Sequence, residues 1–342
     1  MVKTADHIVC SICIANFNGI NFIDACIHSI LNQKNSPSLE IIVHDDASTD
    51  NSVPHIKKKY PFVRLIESKE NVGFCVSNNR MVEKARGENI LLLNNDAVLF
   101  DDALETLYDH SLKDGCDQSI LGLSQYDAQT GELIDIGSFF DLFLNAVPNV
   151  NEKRRDVGMV IGACLWIPKS LWHTLDGFPD WFHTLAEDMY LCCVARLQGY
   201  SVRTVPTSGF FHWVGSSLGG GKIMKNRLSS SINRRRLSEL NKTYVMVLCF
   251  PGPVFHIVFP IHLFLLLVEG ILISLLKRDI VIFKTIYLNV IKTVWKRRRQ
   301  LFIARRQCQK MKKITLSKFF NQFTLTPYKA SMLIKFGVPN LK

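Results

Sequence analysis

Acidic residues almost vanish from the last third of this 342-residue chain. Residues 222–342 hold 24 Lys and Arg against three Asp and Glu, a net +21, whereas residues 1–221 hold 17 against 27, a net −10. The overall +11 therefore averages two opposites, and the asymmetry predicts an acidic body with a basic appendage that meets a polyanion. The start, "MVKTADHIVCSICI", lacks the basic and apolar stretches of a secretory signal. Together with ten cysteines scattered mostly among apolar neighbours, this predicts a reducing cytosolic setting with buried thiols. Cys10 and Cys13 make a lone CxxC with no second ligand pair at zinc spacing, so both are expected in the core. No GxxxxGK(S/T) and no GxGxxG follows any apolar run, which excludes P-loop and dinucleotide-binding readings.

What is present begins with "LEIIVHDDASTDNS", residues 39–52, where a β-branched apolar run meets two adjacent acids. A second such run, "NILLLNND", ends at Asn94-Asn95-Asp96. Turn acids would scatter over both ends of a sheet, whereas these follow the carboxyl ends of the predicted strands. Helical spacing between the runs (Phe22 to Leu31, Val53 to Tyr60, and a segment ending near Ala85) implies βαβ units and a parallel sheet. Clustered carboxylates at one sheet edge repel unless a cation or a donor-rich ligand joins them. A divalent ion bridging a nucleotide diphosphate fits. Further on, Glu187-Asp188 open a predicted helix, where they would also favour the helix dipole. Trp181 and Phe182 precede them as a candidate aromatic platform, and His212 closes the short apolar stretch "GFFH".

These pieces, "VCSICIANFNG", "EIIVHDDASTDNS", "NVGFCVSNNRMVEKARGENILLLNNDAVL", "GACLWIPKSLWHTLDGFPDWFHTLAEDMYLCCVARLQGY" and "GFFHWVGSS", run in order over roughly two thirds of the chain. The stretch resembles family 2 glycosyltransferases, inverting enzymes of the GT-A fold, and looks most like the bacterial rhamnosyltransferase and cell-surface polysaccharide branch. The resemblance implies an α/β fold with a mostly parallel central sheet flanked by helices. It implies Asp46 as the acid that hydrogen-bonds the base, with Asp45 its strand-end neighbour. Ala15, Asn16, Asn18, Asn71, Gly73, Asn79, Asn94 and Asn95 would line the nucleotide and donor. Asp96 and His212 would sit at Mg²⁺ or Mn²⁺, Asp188 would be the general base with Glu187 beside it, and Trp181 and Phe182 would face the acceptor. Asn94 departs from the family's DxD, and Ala15 stands where many relatives carry Thr. No QxxRW follows the Glu-Asp pair, which favours single-sugar transfer over polymer synthesis.

The expected organisation is a catalytic domain over 1–221, a basic and apolar membrane-associating segment over 222–300, and a basic tail over 301–342. Gly219-Gly220-Gly221 suits a hinge, a lid or an ordinary linker. Ile261 to Leu276 is a 16-residue apolar run, extendable to residue 254, with Pro251, Pro253 and Pro260 breaking the stretch early. It either crosses a membrane once or lies in it as a re-entrant or monotopic helix, and basic residues at both ends suit the second arrangement better. Ile280 to Trp295 places Ile280, Phe283, Ile286, Tyr287, Val290, Ile291 and Val294 on one face, as in a helix resting on an anionic bilayer. No nucleic-acid-binding module accompanies the basic runs. The expected partners are a UDP-, dTDP- or GDP-sugar, a lipid-linked or surface-glycan acceptor, and the cytoplasmic face of an inner membrane. A catalytically inactive nucleotide-sugar-binding or scaffold relative is the alternative, and Asn94 is the feature that favours it. A nucleotidyltransferase would share the strand-end acids but not the Glu-Asp helix.

Overall fold

The computed structural model describes residues 7–113, 118–215, 220–224 and 227–341, and side chains are described outside 216–228. The chain forms two compact units. The first comprises residues 1–138, 148–195 and 200–213; the second comprises 139–147, 196–199 and 214–342.

The first unit is built on a nine-stranded sheet. Its strands are β1 (Cys10–Asn16), β2 (Leu39–Asp45), β3 (Arg64–Glu67), β4 (Asn89–Asn94), β5 (Ala97–Leu99), β6 (Ser119–Asp127) and β7 (Leu133–Asp135). Skipping β8 (Ser138–Asp141) and β9 (Ala146–Pro148), which belong to a separate small sheet, it is completed by β10 (Cys164–Pro168) and β11 (Ser201–His212). The order is β3-β2-β1-β4-β10-β6-β11-β5, with β7 on β6. β1, β2, β3 and β4 pair in parallel, β6 pairs with β11 in parallel, and β10 and β5 pair antiparallel with their neighbours. β1, β2 and β4 have near-continuous apolar sequences because helices cover both faces of such strands. Ile12, Ile14, Val43 and Leu91 are fully buried, and emptying any one of these sites to Ala should destabilise the unit by about 2–5 kcal/mol. The expected helices appear as α1 (Ile23–Leu31), α2 (Ser52–Lys59), α3 (Phe74–Lys84), α4 (Ala103–Ser111), α5 (Lys169–Thr174) and α6 (Glu187–Leu197). Cys10 and Cys13 lie in the core as expected, and all nine described cysteines are free and buried.

Register then fixes the site. Asn16 lies opposite Asp45, and Ala15 opposite both His44 and Asn94, so three strand tips end level. β1 sends its chain to β2 on one side while β4 flanks the other, which is a topological switch point, where open α/β sheets leave a ligand crevice. "GFFH" is the end of a longer strand, β11, which turns antiparallel onto β5 and puts His212 opposite Ala97.

In the second unit the mean hydropathy of α8 (Gly252–Lys277) reaches 2.3, and it follows α7 (Ile232–Cys249). α8 continues through Pro260, contrary to the sequence expectation. Pro260 lies on the exposed side of the helix, and its missing N–H leaves the carbonyl of His256 without its usual helical donor. The expected helix over 280–295 is present as one unbroken helical run. It is α9 (Ile280–Ile282), a π-helical turn (Phe283–Leu288) and α10 (Asn289–Lys296). On its apolar face Ile286, Tyr287 and Val290 are fully buried, while Ile280 is exposed. That face is used inside the fold and is not free for a bilayer. α11 (Arg298–Lys310) caps α7: Arg305 donates to the carbonyls of Val247 and Phe250 at 2.6 and 2.7 Å, and Gln309 to those of Leu248 and Cys249. These satisfy carbonyls that a helix end otherwise leaves unpaired.

Candidate functional site

The strand tips are tied together by neutral donors. Asp45 accepts from Asn16 Nδ2 at 2.8 Å and from the hydroxyl and backbone N–H of Ser48 at 2.6 and 2.9 Å. Asn16 in turn accepts from Asn95 Nδ2 at 2.9 Å. Gly19 must be glycine beneath this knot, because a Cβ there would stand 2.1 Å from Asn16 Oδ1. Asn18 accepts from the backbone of Thr49 and Asp50. Asn16, Asn18, Asp45 and Asn95 thus shape the crevice wall, and Ala15 is half-buried beside them.

Asp46 grips the loop that opens α3. Its two oxygens accept from the N–H groups of Val72 and Gly73 at 2.7 and 2.9 Å. Gly73 takes φ +89°, and a Cβ there would run into the His183 ring at 2.2 Å. Asn71 begins this loop, exposed. Asn79 sits elsewhere: its amide accepts from Phe178 N and donates to Phe178 O and Asp180. It holds the approach to α6, and nothing places it against a donor.

Asp96 and His212 meet. His212 Nε2 lies 3.2 Å from Asp96 Oδ1 and 3.4 Å from Asn94 Nδ2, while its Nδ1 contacts Gln125 Nε2 at 2.8 Å. The partners of this histidine come from two segments, Asn94 and Asp96 from the end of β4 and just after it, and Gln125 from β6. Asn94 Oδ1 is buried with no hydrogen-bond partner. A carboxylate oxygen, an imidazole nitrogen and a spare amide oxygen are a donor set that a divalent ion of the Mn²⁺ type accepts. Among the described residues no three His, Cys, Asp or Glu converge, so an ion held here would complete its shell with diphosphate oxygens or water.

Asp188, in the first turn of α6, is half-buried. One oxygen accepts from Gly162 N at 3.1 Å and the other from Met189 N at 2.7 Å. Burial pushes its carboxyl above the ordinary value, against the lowering effect of those N–H groups, and Asp135 adds to the rise. Glu187 is buried. The strap before them is strained: His183, Leu185 and Ala186 take φ of 63°, 72° and 64°, each costing about 1–3 kcal/mol. No glycine announces that strap in the sequence, so it was not foreseen, and neither were Gln125, Gly162 and His183. A polar Gln within an apolar strand was the one available signal. Trp181 is exposed, but Phe182 is a core residue, 1% exposed and packed on Tyr190. Phe182 therefore supports Trp181 from beneath and is not itself an acceptor platform.

Residues 11–175 match the family model for Glycosyl transferase family 2. The chain is 27% identical to the chondroitin synthase of Pasteurella multocida over 239 residues, covering 68% of this chain and 24% of that protein. It is 29% identical to the putative teichuronic acid biosynthesis glycosyltransferase TuaG of Bacillus subtilis over 128 residues, 36% of this chain and 50% of that one. The chain thus spans about a quarter and a half of the lengths of these relatives. In structure it is similar to Staphylococcus aureus TarS 1-349 (TM-score 0.53, 15% identity, 89% of each chain covered). It is also similar to GalNAc-T7, crystallised with UDP, GalNAc and Mn²⁺ (TM-score 0.52, 17% identity, 71% of this chain and 50% of that one). Residues 11–175 are thus a glycosyl transferase family 2 domain, in a unit with the GT-A fold.

Proposed function

We propose that this chain is an inverting, non-processive glycosyltransferase. It would move one sugar from a UDP-, dTDP- or GDP-linked donor to a hydroxyl of a lipid-linked or cell-surface glycan, at the cytoplasmic face of a membrane. One observation carries the reading: Asp96 and His212 converge beside the level strand tips, while Asp188 reaches the same unit from a separate helix. The similar GalNAc-T7 structure, with its UDP and Mn²⁺, supports a nucleotide-sugar donor and a divalent ion. The names of the relatives above, a chondroitin synthase and a putative teichuronic acid biosynthesis glycosyltransferase, support a role in polysaccharide synthesis.

The chemistry follows from the residues. Asp46 orders the Val72–Gly73 loop against the nucleotide. Asp96 and His212, with Asn94 beside them, would hold Mg²⁺ or Mn²⁺. A bound divalent cation supplies the positive charge that a departing diphosphate needs in a water-poor cleft. Asp188 takes the proton from the acceptor hydroxyl as its oxygen bonds to the anomeric carbon. The bond to the diphosphate breaks on the opposite face and the centre inverts. Its raised pKa makes Asp188 a stronger base than an ordinary carboxylate. Trp181 offers an exposed ring to the acceptor side.

Donor turnover measured with and without Mn²⁺ tests the reading, with Asp96→Ala expected to abolish the metal-dependent part. Near wild-type turnover by Asp96→Ala in Mn²⁺ would remove the metal role. Asn94 favours a second reading, an inactive donor-binding relative, for which nucleotide-sugar would bind without being turned over.

A further inference from the structure

α8 has two unlike faces. Phe255, His262, Leu266 and Ile273 turn inward. On the same side Glu269 accepts from Arg235, from Lys329 at 2.8 Å and from Tyr287 at 3.2 Å, and His262 pairs with Thr243 at 2.9 Å. Gly270 lets the helix press on Tyr287, for a Cβ there would stand 2.6 Å from its ring. The opposite face exposes Ile257, Ile261, Phe264, Ile271, Leu272 and Leu275, all more than 40% accessible. At 100° per residue these positions fall within one stripe, and at 1.5 Å per residue it runs for about 30 Å. No charged residue interrupts it.

The surroundings say what covers such a stripe. Of the three acids in residues 222–342, Glu239 and Glu269 are consumed by internal ion pairs with Arg235, Lys242 and Lys329, and Asp279 caps the N–H of Val281. The 24 basic residues include exposed Lys277 and Arg278 at the end of the stripe, and Lys284, Lys292, Lys296, Arg298 and Arg299 further on. A second copy seated here would bring two +21 segments together. An anionic bilayer matches both the apolar stripe and the cations beside it.

The geometry points to α8 as a monotopic anchor: it lies in the plane of one anionic leaflet, its outer stripe immersed and its inner face held by the protein, and it does not cross. To span, it would have to surrender the Glu269 and His262 pairings and carry those polar groups through hydrocarbon, which is expensive. The inference rests on the membrane location proposed above and specifies its surface and depth.

Two measurements on the full chain test it. In flotation, the protein is expected to rise with phosphatidylglycerol-containing vesicles, more weakly at high salt, and the combined Ile261→Glu, Phe264→Glu, Leu272→Glu variant to stay at the bottom with donor turnover in detergent-free buffer unchanged. In topology mapping, Gly252→Cys and Lys277→Cys, singly introduced, are treated with a membrane-impermeant maleimide after the protein is added to sealed vesicles. A Cβ at Gly252 meets nothing within 4 Å, Lys277 is exposed, and the nine described native cysteines are buried, so labelling above the unsubstituted protein reports the new site. Both ends are expected to label without detergent. Labelling at one end only would mean that α8 spans, and would overturn the in-plane placement while keeping the membrane location. Undiminished flotation of the triple variant would move the anchor elsewhere. A dimer that the triple variant dissolves would make a second copy the occupant. Failure of the unsubstituted protein to float would remove the membrane location itself.

Discussion

Carboxylates are held down in two ways in the two units. At the strand tips Asp45 and Asp46 are satisfied by amide, hydroxyl and backbone N–H donors. Among the helices Glu239 and Glu269 are satisfied by cations: Glu239 meets Lys242 at 2.8 Å and Lys329 at 2.6 Å, with Arg235 at 3.4 Å. Burial raises the Glu239 pKa, but Lys242, Lys329 and Arg235 outweigh it and hold the carboxyl well below the usual range. Neutral donors orient a carboxylate and leave its charge available to a ligand. Cations consume that charge. The first arrangement builds a site and the second builds a scaffold.

The largest test of this contrast is Asp188→Asn, which keeps the shape and one of the two backbone hydrogen bonds yet removes the proton acceptor. Transfer should fall about 10²–10⁴-fold, with donor affinity by calorimetry unchanged. Lost affinity with surviving transfer would reassign the base.

Glu239→Gln comes next and belongs to the scaffold. It strands Lys242 and Lys329 beside a neutral amide, and breaking a buried pair from one side costs about 3–5 kcal/mol. Urea unfolding should show that loss with donor turnover per folded molecule retained. A loss under about 1 kcal/mol would mean these pairs are as weak as ordinary surface bridges.

The pH dependence sharpens the comparison. Asp188 works deprotonated, so turnover should be full well above its raised pKa and fall as pH drops through it. The acid limb of the rate profile should therefore lie above the ordinary Asp value of about 3.9, and an acid limb at or below that value would contradict the buried-base assignment. Glu239 runs the other way: its contribution to stability is complete above the ordinary Glu value of about 4.3 and fades only as pH falls through its depressed one. Activity should thus fail at a higher pH than folding does. Smallest in effect, Asp46→Asn sets an amide where two N–H groups point. It should weaken nucleotide binding by about 1–3 kcal/mol, read by calorimetry, without changing the pH limb.

What the sequence made legible were features announced by local contrast. Acids ending an apolar run located Asp45, Asp46 and Asp96, and an acid pair opening a helix located Asp188. The meeting of Asp96 with His212 needed the resemblance, because nothing local links residues so far apart. Gln125 against His212 and Gly162 against Asp188 were illegible, since both depend on β6, β10 and β11 arriving beside β4. Phe182 was misplaced because an exposed ring and a buried ring beside it look alike in sequence. Glu269 read as a blemish in an apolar run, and its partners Arg235 and Lys329 are 34 and 60 residues away. The apolar face over 280–295 was legible as a face, but periodicity does not say what covers it, and Ile286, Tyr287 and Val290 are buried in the fold.

The pairing of β8 with residues 323–324, Phe140 beside Phe323, sets a timetable for synthesis. A segment made before the chain is half complete waits for a partner roughly 180 residues later, which at about 5–20 residues per second is on the order of 10–40 s. During that interval Phe140, fully buried in the finished protein with its ring tilted against Phe323 at 5.3 Å, lacks that mate. This pairing can form only after residue 324 has left the ribosome, so a chain stalled or nicked before it would expose this phenylalanine.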